Sequence, residues 1–280
     1  WIFDVPVVAN MLAVNTVENG GVTEMQVGLD PNKLRVSLND LKVLVDQNPA
    51  NARFVFNDET LQIEAIAASA IGRAMDVEAS IKAINEALLR GEHTVVLNIV
   101  EQQPAVADTA SGAELGITQL VAEQTTYFYG SSSARIQNIK AAAERYHGLL
   151  VAPGETFSMG SVLGDVSLEN GFAEALIIYG GRTIKGVGGG VCQVSTTLFR
   201  TVFFAGFPDL AGMDATVYFP LVDFKFQNDT PYWLLMETYV VGETLTWKLY
   251  STSDGRSVTS ETTGPGNVVP PLPPIFEENP

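Results

Sequence analysis

The chain has a single cysteine, Cys192, in 280 residues. No intramolecular disulfide can form, which suits the cytosol and equally an exported protein that does without disulfides. Histidine is almost as scarce, with only His93 and His147. A structural zinc site normally takes four Cys or His ligands, so no metal is expected. No Walker-type loop is present and no Gly-x-Gly-x-x-Gly follows a strand pattern, so no cofactor is expected either. Apolar runs all fall short of the roughly 18 residues that a membrane-spanning helix needs. No signal peptide is visible, and residue 1 is Trp rather than Met. The start reads as a processing boundary, which leaves room for a membrane anchor upstream. Basic residues are few, 16 against 32 acidic, for a net charge of −16. So acidic a surface repels phosphate backbones, which argues against nucleic acid, and it offers no basic stripe to an anionic membrane. It does suit a protein that stays soluble while touching polymeric sugar.

What is present is a chain 46% hydrophobic, enough to bury a core and long enough for roughly two domains. The pattern predicts an α+β fold in two parts. Residues 1–106 read as a small α+β domain, 107–115 as a linker, 116–250 as a second, strand-rich mixed domain, and 251–280 as a polar, Pro-rich tail, extended or poorly ordered. In the first part Asp4 and Pro6 open a short helix. Asp30-Pro31 opens a second, with Leu34, Leu38, Leu41 and Val45 as its apolar stripe. Arg53–Phe56 and Leu61–Ile66 flank a turn as a hairpin. Asp76 caps a helix that stops at Gly91, and Thr94–Val100 alternates as a closing strand. In the second part Ser133 starts a helix ended by Gly148. Ala175–Tyr179 reads as a strand, and a glycine-rich loop over 186–190 precedes a helix from Val194 to Ala205. Strands are expected over Ala215–Phe219, Asp223–Gln227, Trp233–Val240 and Leu245–Tyr250.

Chemistry concentrates at Gly188-Gly189-Gly190-Val191-Cys192-Gln193-Val194-Ser195-Thr196-Thr197. Three glycines before a helix let a ligand or another chain approach the backbone closely. A thiol in the first helical turn sits at the positive end of the helix dipole, which favours a thiolate. Gln193 could donate to a developing oxyanion together with backbone N–H groups. Cys192 is thus the candidate nucleophile, Gln193 its oxyanion partner and His147 its base. Gly188, Gly189, Gly190, Ser195, Thr196 and Glu155 are candidate ligand contacts. Each has a plainer reading: a buried free cysteine, a helix-capping histidine, hydroxyls that cap a helix, and carboxylates such as Glu155, Asp165, Asp214 and Asp223 on solvated faces. Nothing in the spacing of those carboxylates selects a glycosidase pair.

The stretch from about Gly116 to Tyr239 resembles a VanW domain, a family named for a gene in vancomycin-resistance clusters. Six ordered motifs carry the resemblance: Thr125–Phe128, Arg135-Ile136-Gln137-Asn138-Ile139, Pro153–Ser158, Gly188–Thr197, Asp214–Tyr218 and Asp223–Tyr232. Residues 1–106 resemble, through Trp1, Pro49–Ala52 and Gly72–Asp76, the peptidoglycan-binding domain that often precedes VanW domains. The resemblance implies an extracytoplasmic cell-envelope protein, often anchored by an N-terminal transmembrane helix. It implies no defined reaction. The chain departs from the family pattern after Ala205-Gly206-Phe207-Pro208, where a longer segment rich in His, Tyr and Pro is usual. The expectation is a loop missing around 208–212, one that could hold the histidine a Cys192 mechanism lacks. The leading reading is a binder of peptidoglycan or of wall-derived peptide or glycan. The alternative is a thiol enzyme acting on wall precursors or crosslinks through Cys192, and a scaffold whose glycine loop only packs a crowded core is the third.

Overall fold

The structure is a computed structural model that describes residues 1–19, 21–179, 182–208, 215–218 and 221–261. Helix α1 (Val5–Met11) carries Pro6 in its first turn, and Asp4 stands at its N-cap without a side-chain bond. Leu12 then leaves the helix and opens an antiparallel hairpin, β1 (Leu12–Asn19) and β2 (Val22–Leu29). Leu12, expected on the first helix, is already in β1, and no element over 13–29 is expected from the hydrophobic pattern, yet Asn19-Gly20-Gly21 is a hairpin-turn signal. Helix α2 (Pro31–Val45) begins where Asp30 accepts from the N–H groups of Asn32 and Lys33, and it buries Leu34, Leu38 and Leu41. The hairpin β3 (Arg53–Asn57) and β4 (Gln62–Ala67) forms as expected. Its turn is held by Asn57 Oδ1, which accepts from the amides of Glu59 and Thr60.

β5 (Gly72–Met75) leads to α3 (Val77–Leu89), capped by Asp76, and then to β6 (Ile99–Gln102), which pairs with β5. The strand expected over Thr94–Val100 forms only at its last two residues. The register explains why: Ile99 pairs with Met75, and the next residue, Asp76, has already turned to cap α3. The stretch expected as linker contains a helical turn, α4 (Gly112–Leu115), with a capping box between Ser111 and Glu114.

The second half contributes β7 (Gln119–Tyr127), α5 (Ser133–Glu144), β8 (Leu149–Val151), β9 (Thr156–Ser158), α6 (Met159–Leu163), β10 (Glu174–Tyr179), β11 (Arg182–Val187), α7 (Val191–Ala205), β12 (Lys225–Gln227), β13 (Leu234–Val241) and β14 (Thr244–Ser251). α7 starts three residues before the expected Val194. β11 is a strand where the sequence suggested the approach to a loop, and it forms a hairpin with β10. The strand expected over Ala215–Phe219 is not formed among the described residues, which show only an isolated bridge between Tyr218 and Val222. Phe219, Asp214 and most of the 208–212 junction lie outside the described residues, as does the Pro-rich 262–280. The start of the tail is tied down: Arg256 donates to the Gly206 carbonyl and to Asp229.

The central element is a four-stranded antiparallel sheet in the order β7-β14-β13-β8. Side chains alternate across a strand, so each strand serves both faces. On one face Leu234, Met236, Leu245, Trp247 and Leu249 join Val194, Leu198 and Val202 of α7 and Ile139 and Ala143 of α5 in the largest core cluster. On the other face Leu235 and Tyr250 meet Phe54 and Phe56 of β3, with Val106, Leu115 and Ile117. The hairpin β3–β4 therefore lies on the back of this sheet, and residues from 1–106 and 116–250 share one core. A separate cluster of Met11, Leu29, Leu34, Leu38, Leu41, Met75 and Ile81 holds α2 and α3 to the N-terminal strands. Among the described residues no helix is long and apolar enough to cross a membrane.

Candidate functional site

The glycine loop is built into its surroundings from two sides. Gly190, with φ +120, is the N-cap of α7, a conformation that L side chains rarely adopt. Gly189 lies so close to β10 that a Cβ there would overlap the Leu176 carbonyl. Gly188 donates its N–H to the Ala173 carbonyl at 3.1 Å. The loop is fastened by Asn138, a fully buried side chain on α5. Its Nδ2 donates to the carbonyls of Gly189 and Ala173, each at 2.9 Å, and its Oδ1 accepts from the Ala173 N–H at 2.6 Å. One amide thus ties a helix, the start of β10 and the signature loop together.

From this loop α7 projects the thiol. Cys192 is exposed, in the first turn of a helix of 15 residues. Its polar contact is the Val217 carbonyl at 4.0 Å. Gln193 is half-buried in a chain of hydrogen bonds: its Oε1 accepts from Arg135 at 3.1 Å, and its Nε2 donates to Thr126 Oγ1 at 2.7 Å. Thr126 and Thr197 share a 2.6 Å hydroxyl contact, and Thr197 closes the ring by donating to the Gln193 carbonyl at 2.7 Å. An amide nitrogen carries two donors, so Gln193 keeps one N–H outside these bonds. Arg135 also donates to Ser131 at 2.6 Å. Ser195 is fully buried and gives its proton to the Ala215 carbonyl, and Thr196 accepts from the Ala215 N–H. These hydroxyls bind the 215–218 segment onto α7.

The other candidates lie elsewhere. His147 follows the far end of α5 from Arg135. At 1.5 Å per residue the 12 residues of α5 span about 18 Å. Its Nδ1 accepts from the Thr238 N–H, and its ring stands edge-on to Tyr239. Glu155 closes the turn between β8 and β9 by accepting from the Ala152 N–H at 2.7 Å. The neighbouring pair Thr156–Gln227 sits beside Pro208, just past the C-terminal end of α7, about 22 Å from Cys192 along that helix. The structure thus gathers Gly188, Gly189, Gly190, Cys192, Gln193, Ser195 and Thr196 around one helix start, and sets His147 and Glu155 apart. His93 is an exposed residue after α3. Asp223 caps the α6 turn, accepting from the Gly160 N–H and the Ser158 hydroxyl. Among the described residues no group of three His, Cys, Asp or Glu could hold a metal.

Asn138, Arg135 and Thr126 are central to this arrangement, and the residue pattern alone gave them no role. A signal existed for Asn138, whose neighbours Ile139, Ala142 and Ala143 are all buried. A polar residue inside an apolar helix face needs buried partners.

Asn138 and Arg135 lie within a stretch that matches a known family, and Thr126 lies before it. Residues 134–250 match the family described as VanW like protein. The chain carries a VanW-like domain. Residues 6–96 match the family described as Putative peptidoglycan binding domain. The signature loop, α7, nearly all of α5 and most of the central sheet fall inside the VanW domain. Two curated relatives are similar over parts of the chain. The "Uncharacterized protein YoaR" of Bacillus subtilis (strain 168) is 36% identical over 147 residues, 48% of this chain and 48% of its own. The "Vancomycin B-type resistance protein VanW" of Enterococcus faecalis (strain ATCC 700802 / V583) is 30% identical over 114 residues, 34% of this chain and 42% of its own. The match spans less than half the length of each relative. No solved structure matches.

Proposed function

We propose that this chain is an extracytoplasmic cell-envelope protein that binds peptidoglycan or a wall-derived peptide or glycan. The observation that carries this reading is the tandem of a peptidoglycan-binding family match over 6–96 and a VanW match over 134–250. A protein of this kind takes its affinity from the N-terminal part and presents the VanW domain to what the wall offers. The link to glycopeptide resistance rests on the name of the enterococcal relative. A net charge of −16 keeps such a body soluble. Membrane attachment, in this reading, comes from an anchor outside these residues.

A second reading makes Cys192 a nucleophile acting on wall precursors or crosslinks. It is favoured by one observation, an exposed thiol in the first turn of a long helix beside a glutamine held in place by Arg135 and Thr126. His147 is too far along α5 to serve it as base. One experiment separates the two readings: incubate purified peptidoglycan with the wild-type chain and with Cys192→Ala, then measure both bound protein and released fragments. Equal binding and no fragments from either protein support the binder. Fragments released only by the wild type support the enzyme. A wild type that does not bind removes the leading reading.

A further inference from the structure

We propose that Glu237 couples the seating of the β3–β4 hairpin on the central sheet to its own protonation, so that the two parts of the chain join more tightly in acid than at neutral pH. Glu237 is on β13, on the face that points away from the helices, and it is fully buried. Its Oε1 accepts from the Phe56 N–H of β3 at 2.6 Å, and its Oε2 accepts from the Tyr239 hydroxyl at 2.5 Å. Phe56 stacks on Tyr250 at 4.7 Å beside it, and the Phe54 N–H donates to the Gly148 carbonyl. The carboxyl is therefore roofed by the hairpin, and its accessibility depends on whether the hairpin is seated.

An ionised carboxylate in such a place loses hydration that two hydrogen bonds only partly replace. The surrounding charges come from every packed element. From β14, Lys248 lies over the Tyr239 ring, 3.6 Å from Asp58 of the β3–β4 turn and 3.8 Å from Glu123 of β7. Lys248 is therefore shared between two other carboxylates. Tyr250, also from β14, donates to Asp58. Arg53 of β3 is directed at the carbonyls of His147 and Glu144, and Glu64 of β4 accepts from Asn57. His147, in the turn after α5, and Lys248 act in the direction that lowers the Glu237 value. Burial outweighs these contributions and holds the Glu237 carboxyl above its ordinary value near 4.5. A carboxyl raised in the folded chain favours the protonated form. Its contribution to the joint is full below that ordinary value and is lost as pH rises through the raised one. Opening the hairpin at neutral pH lets Glu237 ionise in water, so ionisation and unseating favour each other.

The test is hydrogen exchange of the intact chain, corrected for intrinsic rates, at roughly pH 5 and pH 8. Wild type and Glu237→Gln are compared over the 53–57 strand, with 119–127 of β7 as an internal reference. The glutamine is neutral at both pH values and still accepts from the Phe56 N–H. Protection of 53–57 in the wild type should fall about threefold or more relative to β7 on going to the higher pH, and it should not fall in Glu237→Gln. A wild type with no relative loss overturns the proposal. So does a glutamine variant that loses protection as the wild type does, or one that fails to fold, because a neutral side chain of this shape should be accepted.

Discussion

Replacing Asn138 with alanine should loosen the signature loop more than any nearby surface change. The magnitude follows from the three bonds lost. The Gly189 carbonyl bond is buried, and the two to Ala173 are part-buried. A buried group left without a partner costs about 1–3 kcal/mol, and a partly solvated one less. Together with the small void left at a fully buried position, the loss should be about 3–5 kcal/mol. Asn138→Asp should cost a similar amount, because an ionised carboxylate cannot donate to the two carbonyls. Urea unfolding followed by tryptophan fluorescence is a suitable assay, since Trp247 is fully buried in the VanW core and Trp1 is exposed. The rate at which Cys192 reacts with a thiol reagent reports the loop locally, and it should change in the variant because Gly190 is the N-cap of the helix that carries the thiol. A loss below about 1 kcal/mol with an unchanged thiol rate would refute the reasoning that Asn138 fastens the loop.

Three further substitutions probe the loop, the thiol and the N-terminal helices. Gly189→Ala places a Cβ against the Leu176 carbonyl, so it should destabilise by about 2 kcal/mol or more in the same unfolding assay, and Cys192→Ala, at an exposed position, should fall within about 0.5 kcal/mol of wild type. Leu38→Ala, at a fully buried position on α2, should cost about 2–5 kcal/mol, seen as faster hydrogen exchange over α2 and α3 with little change in the central sheet, because those helices have a core of their own.

Much of the fold is legible in the sequence, for reasons that particular residues make plain. α2 shows its cap in Asp30-Pro31 and its buried face in Leu34, Leu38 and Leu41. β13 and β14 show as alternating or continuous apolar runs because their sheet is covered on both faces. Where reading failed, the deciding partner was distant or the signal was weak. The stretch Thr94–Asn98 has the composition of a strand but no strand beside it, since β5 ends at Met75, and strand propensity expresses fit to a neighbour rather than an intrinsic backbone preference. β11 contains Gly186 and runs into the glycine loop, so only its pairing with β10 reveals it. The site was legible as a loop, a thiol and a helix start, although α7 begins at Val191, three residues before the expected Val194. Its fastening was not legible, because Asn138 acts on Ala173 and Gly189, 35 and 51 residues away. Nor could spacing show that His147 and Glu155 stand apart from Cys192, since their places depend on which way α5 and α7 run.

The central claim is that this chain binds the cell wall, and the most direct measurement is co-sedimentation of the intact protein with increasing amounts of purified peptidoglycan. Saturable pelleting of the wild type, matched by Cys192→Ala, is the predicted result. A chain that stays in the supernatant at every concentration of wall material, while remaining folded by hydrogen exchange, would contradict it.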